Sequence, residues 1–106
     1  MNKKPCEANY NIFFTNLANP LKISIILALR ESEKNVGEVS QKLKVEQSKI
    51  SHALASLKKC KIVDVKQNGK ERIYSLNKET ILPIFNLIDK HAIVHCKGKC
   101  ACGVGK

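Results

Sequence analysis

The chain has 106 residues, a formal net charge of +10 and 26% charged residues, with a pI near 9.6. That length suits one domain with a core of marginal size, and so basic a balance argues against an ordinary neutral enzyme and for a phosphate-rich partner, nucleic acid before an acidic membrane face. A bilayer span needs about 20 predominantly apolar residues, whereas the longest unbroken apolar run is Ile25 to Leu29. The opening MNKKPCEANYN has two lysines but no apolar stretch of a secretory signal, so a cytoplasmic location is expected. Five cysteines in a reducing compartment read as thiols for metal or redox chemistry rather than as a disulfide framework.

In chain order, residues 1–8 read as a mobile N-terminal arm, residues 9–95 as one folded domain and residues 96–106 as a Cys-rich tail. A first helix starting at Asn9 carries Ile12, Phe13, Phe14 and Leu17 and is broken at Asn19-Pro20. Asn19 can cap the second helix with Pro20 as its first residue, and Leu21, Ile25 and Leu29 give that helix a core face. Asn35 is placed to cap a short third helix holding Val36, Val39 and Leu43. A tight connection at Lys44-Val45-Glu46 leads into Gln47–Cys60, QSKISHALASLKKC, where Ile50, Ala53, Leu54, Leu57 and Cys60 recur at helical spacing. Helix, short turn, helix results. The period then alternates: Ile62, Val63 and Val65, then Ile73, Tyr74 and Leu76, flank an Asn68-Gly69 hairpin signal. Thr80 is placed to cap a last helix, with Pro83 in its first turn, where no intrahelical donor is lost.

This order is mainly α with a two-stranded β-wing, and it resembles the winged helix-turn-helix repressors. Gln47-Ser48-x-Ile50-Ser51-His52-x-Leu54-x-x-Leu57-Lys58-x-Cys60-x-Ile62-Val63 is similar to the recognition helix and first wing strand of the ArsR/SmtB family. Gly69-Lys70-x-Arg72-x-Tyr74-x-Leu76 resembles its wing, and Asn19-Pro20-Leu21-Lys22 with Ile25-Leu27 the start of its second helix. The resemblance implies a DNA-binding transcriptional repressor, not an enzyme, that acts as a homodimer through its first and last helices. The stripes of Ile12 and Phe13 and of Ile81, Ile84, Phe85 and Ile88 suit that use.

Between Gln47 and Arg72 there are seven basic residues and two acids, so half of the net charge sits in a quarter of the chain. Gln47, Ser48, Ser51 and His52 lie where a helix-turn-helix protein presents base-reading side chains to the major groove. Lys49, Lys58 and Lys59 would pair with phosphates, and Lys66, Lys70 and Arg72 would reach phosphates or the minor groove from the wing. One such unit reads only a few base pairs, so a specific double-stranded operator calls for two copies about one helical turn apart.

The tail reads His95-Cys96-Lys97-Gly98-Lys99-Cys100-Ala101-Cys102. Cys96, Cys100 and Cys102 can converge as soft thiolate ligands suited to As(III), Cd, Pb or Zn, although the spacing is not that of a zinc knuckle. Among sensor sites implied by the resemblance, one on the third helix is missing, because Val36 to Ser40 holds no thiol, and one on the last helix fits poorly, because Asp89-x-His91 is out of register. What remains is similar to members that join tail cysteines to one at the end of the recognition helix. Cys60 occupies that position as a further candidate ligand, with Ser56 where a second cysteine would stand; Cys6 and His95 are weaker candidates. The expected function is a repressor released from its operator by a thiophilic metal or metalloid. Alternatives are a thiol-redox-sensing winged-helix repressor and a constitutive DNA-binding protein without an inducer. No catalytic triad, phosphate loop or supported carboxylate pair is present to suggest an enzyme.

Overall fold

The computed structural model describes residues 7–95, with side chains from Tyr10 onward. Its elements are α1 (Glu7–Leu17), α2 (Pro20–Glu31), α3 (Val36–Leu43), α4 (Gln47–Lys59), β1 (Val63–Asn68), β2 (Glu71–Leu76) and α5 (Ile81–His95). The chain divides into two compact units, one ending at Leu76 and the other beginning at Asn77. No single helix is long and apolar enough to cross a membrane.

The first unit is built as the caps and patterning dictate. Asn19 adopts extended backbone and its side chain accepts the Lys22 amide, with Pro20 at the start of α2, so the helix begins where a missing N–H costs nothing. Asn35 and Glu38 form a reciprocal capping box on α3, through Glu38 N–H to Asn35 Oδ1 at 2.8 Å and Asn35 N–H to Glu38 Oε1 at 2.9 Å. Lys44, in the left-handed region at φ 57, ends α3, and α4 follows after two more residues. The helix-turn-helix is therefore set by local signals.

α4 packs against α2, α3 and β1 through Ile50, Leu54 and Leu57, each fully buried, and Ala53. Burying one such large aliphatic side chain contributes about 1.5–3 kcal/mol relative to exposure. The helix closes in a Schellman turn, Ile62 N–H to Leu57 O and Lys61 N–H to Lys58 O, both at 3.0 Å. Lys61 takes the left-handed position there, at φ 60, and the turn drives Ile62 and Val63 into the core, both fully buried.

The wing is one antiparallel hairpin in the register Val63↔Leu76 to Asn68↔Glu71. Its two-residue turn is Gly69-Lys70, one position later than the Asn68-Gly69 signal suggests. Gly69 has φ 67 and Lys70 is not among the positive-φ residues, the sign pattern of a type II′ turn, which places glycine first. Gly69→Ala meets no neighbour within 4 Å, so its cost is backbone strain alone. Thermal or urea unfolding is expected to show a loss of about 1 kcal/mol. The loop between α2 and α3 adds a short third pairing: Tyr74 N–H donates to Lys34 O at 2.8 Å and Lys34 N–H to Tyr74 O at 3.1 Å. The Lys34 ammonium meanwhile donates to Ala28 O at 2.9 Å and Ser32 Oγ at 2.9 Å. That lysine closes the end of α2.

Three expectations need correction. α1 begins at Glu7, so residues 7 and 8 are helical and not part of an arm. Thr80 stands at the N-cap of α5, where its carbonyl accepts Ile84 N–H, but the side-chain oxygen that takes amides there is Asn77 Oδ1, which accepts Glu79 N–H at 2.9 Å and Thr80 N–H at 3.3 Å in the turn before the helix. The stripe of α5 divides, because Ile81 and Phe85 are buried while Ile88 is exposed. The exposed apolar residues of α5 are Leu87, Ile88, Ile93 and Val94, and those of α1 are Tyr10, Ile12 and Phe14.

Candidate nucleic-acid interface

Because Ile50, Ala53, Leu54 and Leu57 bury one side of α4, the 3.6-residue period fixes what the other side presents. Ser48, Ser51, His52, Ala55 and Lys59 lie opposite the core, with Gln47 and Lys58 on one flank and Lys49, Ser56 and Cys60 on the other. All of the residues assigned from the sequence to DNA are exposed: Gln47, Ser48, Lys49, Ser51, His52, Lys58 and Lys59 on α4, and Lys66, Lys70 and Arg72 on the wing. Ala55, also exposed, was not foreseen. A small apolar side chain in a reading face can meet a thymine methyl group.

Glu71 stands between Lys70 and Arg72 on the wing, and two further acids contact this surface. Ser48 Oγ donates to Glu46 Oε1 at 3.2 Å, and Lys66 Nζ lies 4.0 Å from Glu33 Oε1, with both side chains more than half exposed. A pair that long and that wet contributes little and gives way readily to a phosphate. Gln67 Nε2–H donates to Gly69 O at 3.0 Å and braces the wing tip, which carries Lys70 and precedes Arg72.

The α2-facing flank of α4 holds a polar network that sequence reading did not reveal. Asn16 of α1 is the buried polar residue of the described chain, at 6% exposure. Its Oδ1 accepts Lys22 Nζ–H at 2.6 Å and Ser56 Oγ–H at 3.0 Å, and its Nδ2–H donates to Cys60 Sγ at 2.9 Å. Lys22 Nζ–H also donates to Ser56 Oγ at 3.0 Å. An ammonium has donors only, so it selects the amide oxygen and leaves the amide nitrogen to face sulfur. Three helices meet in one satisfied cluster, and no buried side-chain N or O among the described residues lacks a partner. The only sequence hint was an asparagine among the apolar residues of α1, beside the basic start of α2.

Of the candidate metal ligands, Cys60 and His95 lie within the described residues; Cys6, Cys96, Cys100 and Cys102 lie outside them. Cys60 is a free, partly exposed thiol. Its network partners offer amide and hydroxyl groups, which are hard donors poorly matched to a thiophilic ion. Among the described residues, no three His, Cys, Asp or Glu side chains converge as a metal site. His91 and His95 lie side by side on α5, ring centroids 4.8 Å apart, and both are exposed.

The comparisons with known proteins agree with this geometry. The family model described as bacterial regulatory protein, arsR family, matches residues 19–65, from the α2 cap into β1. The transcriptional repressor SmtB homolog of Synechocystis is 28% identical over 79 residues, covering 74% of this chain and 60% of that protein. The HTH-type transcriptional repressor SmtB of Mycobacterium tuberculosis is 40% identical over 60 residues, 57% of this chain and 44% of that protein. The chain thus spans about half the length of these curated relatives. Among solved structures, M. tuberculosis Rv0081 superposes with a TM-score of 0.78 at 26% identity, covering 90% of this chain and 96% of that one. With the matched segment running through the helix-turn-helix and the fold shared over nearly the whole chain, this protein is similar to the ArsR/SmtB family of winged helix-turn-helix regulators from the α2 cap into β1.

Proposed function

We propose that the chain is a transcriptional repressor that binds double-stranded operator DNA as a homodimer, α4 entering the major groove and the wing lying along the adjacent backbone. The observation that carries this reading is the outer face of α4. With its flanks it presents Gln47, Ser48, Lys49, Ser51, His52, Lys58 and Lys59 exposed and no carboxylate, and it stands on a buried face. The exposed apolar residues of α1, and separately those of α5, support self-association, since exposed apolar surface favours a partner. Two copies then present two recognition helices to two half-sites.

Release is assigned to a thiophilic metal or metalloid, As(III), Cd, Pb or Zn, bound by Cys96, Cys100 and Cys102 with Cys60 as a further ligand. What supports it is the number and softness of the thiols in the sequence. The test is fluorescence anisotropy on a duplex under reducing conditions, before and after adding each ion. Reciprocal linkage of about 1–3 kcal/mol corresponds to a 5–150-fold drop in DNA affinity on ion binding. Cys96→Ser, Cys100→Ser and Cys102→Ser together are expected to leave DNA binding intact and abolish release. Normal release in that variant removes the tail as the sensor. The partly exposed Cys60 thiol favours thiol oxidation as the second reading. Ion addition to reduced protein produces thiolate charge-transfer absorbance only under the metal reading.

A further inference from the structure

The Asn16 network fixes a cation in a place that the recognition helix and wing do not account for. Lys22 uses two of its three ammonium donors on neutral oxygens, Asn16 Oδ1 at 2.6 Å and Ser56 Oγ at 3.0 Å. Asn16 Oδ1 takes a second donor from Ser56, and Cys60 Sγ takes the amide N–H, so the amide cannot turn over without breaking the cluster. The lysine head is thereby held against α4 with its charge offset by dipoles and, among the described residues, by no carboxylate.

The same residue lines an open cleft of about 530 Å³ between the start of α2 and the flank of α4. Asn19 and Leu21 form one wall, and Ser48, Lys49, His52 and Ser56 the other. Two lysines, a histidine and two hydroxyls converge there without an acid. The cleft is lined by Ser48 and His52 of the outer face of α4, and with α4 in the major groove as proposed above, the bordering sugar-phosphate backbone would run beside it. A preorganised cation loses little side-chain freedom on meeting its ligand, and charge-assisted N–H···O bonds are the strong ones at a phosphate.

We propose that this cleft seats one backbone phosphate of the bound DNA, with the Lys22 ammonium as its principal ligand, Lys49 as the second cation and Asn16 as the positioning residue that holds Lys22 in place. The proposal rests on the DNA-binding reading above and adds a contact from outside the helix-turn-helix and the wing.

The test is the salt dependence of duplex binding by the full chain, measured by anisotropy over a range of KCl concentrations. Each phosphate contact contributes about 0.9 to the slope of log K against log salt. Lys22→Gln, which keeps hydrogen-bonding capacity but not charge, is expected to reduce the slope magnitude by about 0.9, while Lys22→Arg retains the wild-type slope. Lys42→Gln is the control, because Lys42 is already paired with Glu31 at 2.8 Å, and it leaves the slope unchanged. Should Lys22→Gln loosen the fold, the near-isosteric Asn16→Asp pairs the ammonium in place and is expected to lower the slope likewise. A weakened Lys22→Gln with the full wild-type slope, matched by an unchanged slope in Asn16→Asp, overturns the proposal by showing that Lys22 serves structure alone. That result differs from a wild-type chain that binds no DNA, which overturns the DNA-binding reading together with it.

Discussion

Changing Lys49, Lys58 and Lys59 together to glutamine is expected to weaken duplex binding by on the order of 10²–10³-fold at about 0.1 M salt and to reduce the salt slope by about 1.8, because Lys22 still neutralises the phosphate that Lys49 shares with it. The three ammonium groups are exposed on α4 outside its buried stripe, so their loss leaves the core untouched. Glutamine is also a good helix former. Unfolding midpoints should therefore move by less than about 0.5 kcal/mol equivalent. Anisotropy titrations at several salt concentrations, beside a thermal melt, check both halves. A large loss of affinity with an unaltered slope would mean that these lysines act through the fold and not on phosphates.

The opposite dissociation is expected for Leu54→Ala. Leu54 is fully buried at the middle of the α4 core face, and the change removes apolar contacts and leaves a cavity, at a cost of about 2–5 kcal/mol. Against a total stability on the order of 5–15 kcal/mol, this is a shift of roughly 10–30 °C in melting temperature for a domain of this size. DNA affinity falls only as the folded fraction falls, and the salt slope of the folded protein is unchanged. Urea unfolding that gives less than about 1 kcal/mol would place Leu54 in a loosely packed or readily collapsing site.

These two variants separate what the sequence makes legible from what it hides. Local chemistry was readable because each signal involves near neighbours. Asn19 and Asn35 cap their helices through amides three positions on, and the spacing of Ile50, Leu54 and Leu57 identifies the buried side of α4, hence the exposed one. The wing turn was displaced by one residue because Asn-Gly and Gly-Lys turns share a glycine, and only the strand register, Asn68 opposite Glu71, decides which neighbour joins it. The use of Asn77 Oδ1 for the amides of Glu79 and Thr80 likewise depended on how tightly the chain turned before α5. Ile81 and Phe85 looked like surface for a partner because periodicity marks an apolar stripe without saying which part of it the chain itself covers.

The Asn16 cluster was illegible for a different reason. Its members are 6, 34, 40 and 44 positions apart, and no short-range rule links them until three helices are packed. Lys34, too, reads as one more surface cation, yet its ammonium closes α2 at Ala28 O. Net charge therefore overstates the cations available to a polyanion. By the same token it conceals one, Lys22, that is already held at an open cleft.

The central claim is that α4 and the wing read duplex DNA as part of a dimer. Selection of duplexes from a random pool by the full chain, under reducing conditions without added metal, tests it most directly. The expected product is a pseudo-palindrome with half-sites about one helical turn apart (~34 Å), lost when Ser48, Ser51 and His52 are changed together to alanine. A selected pool with no preferred sequence, or one whose preference survives that triple change, would contradict it.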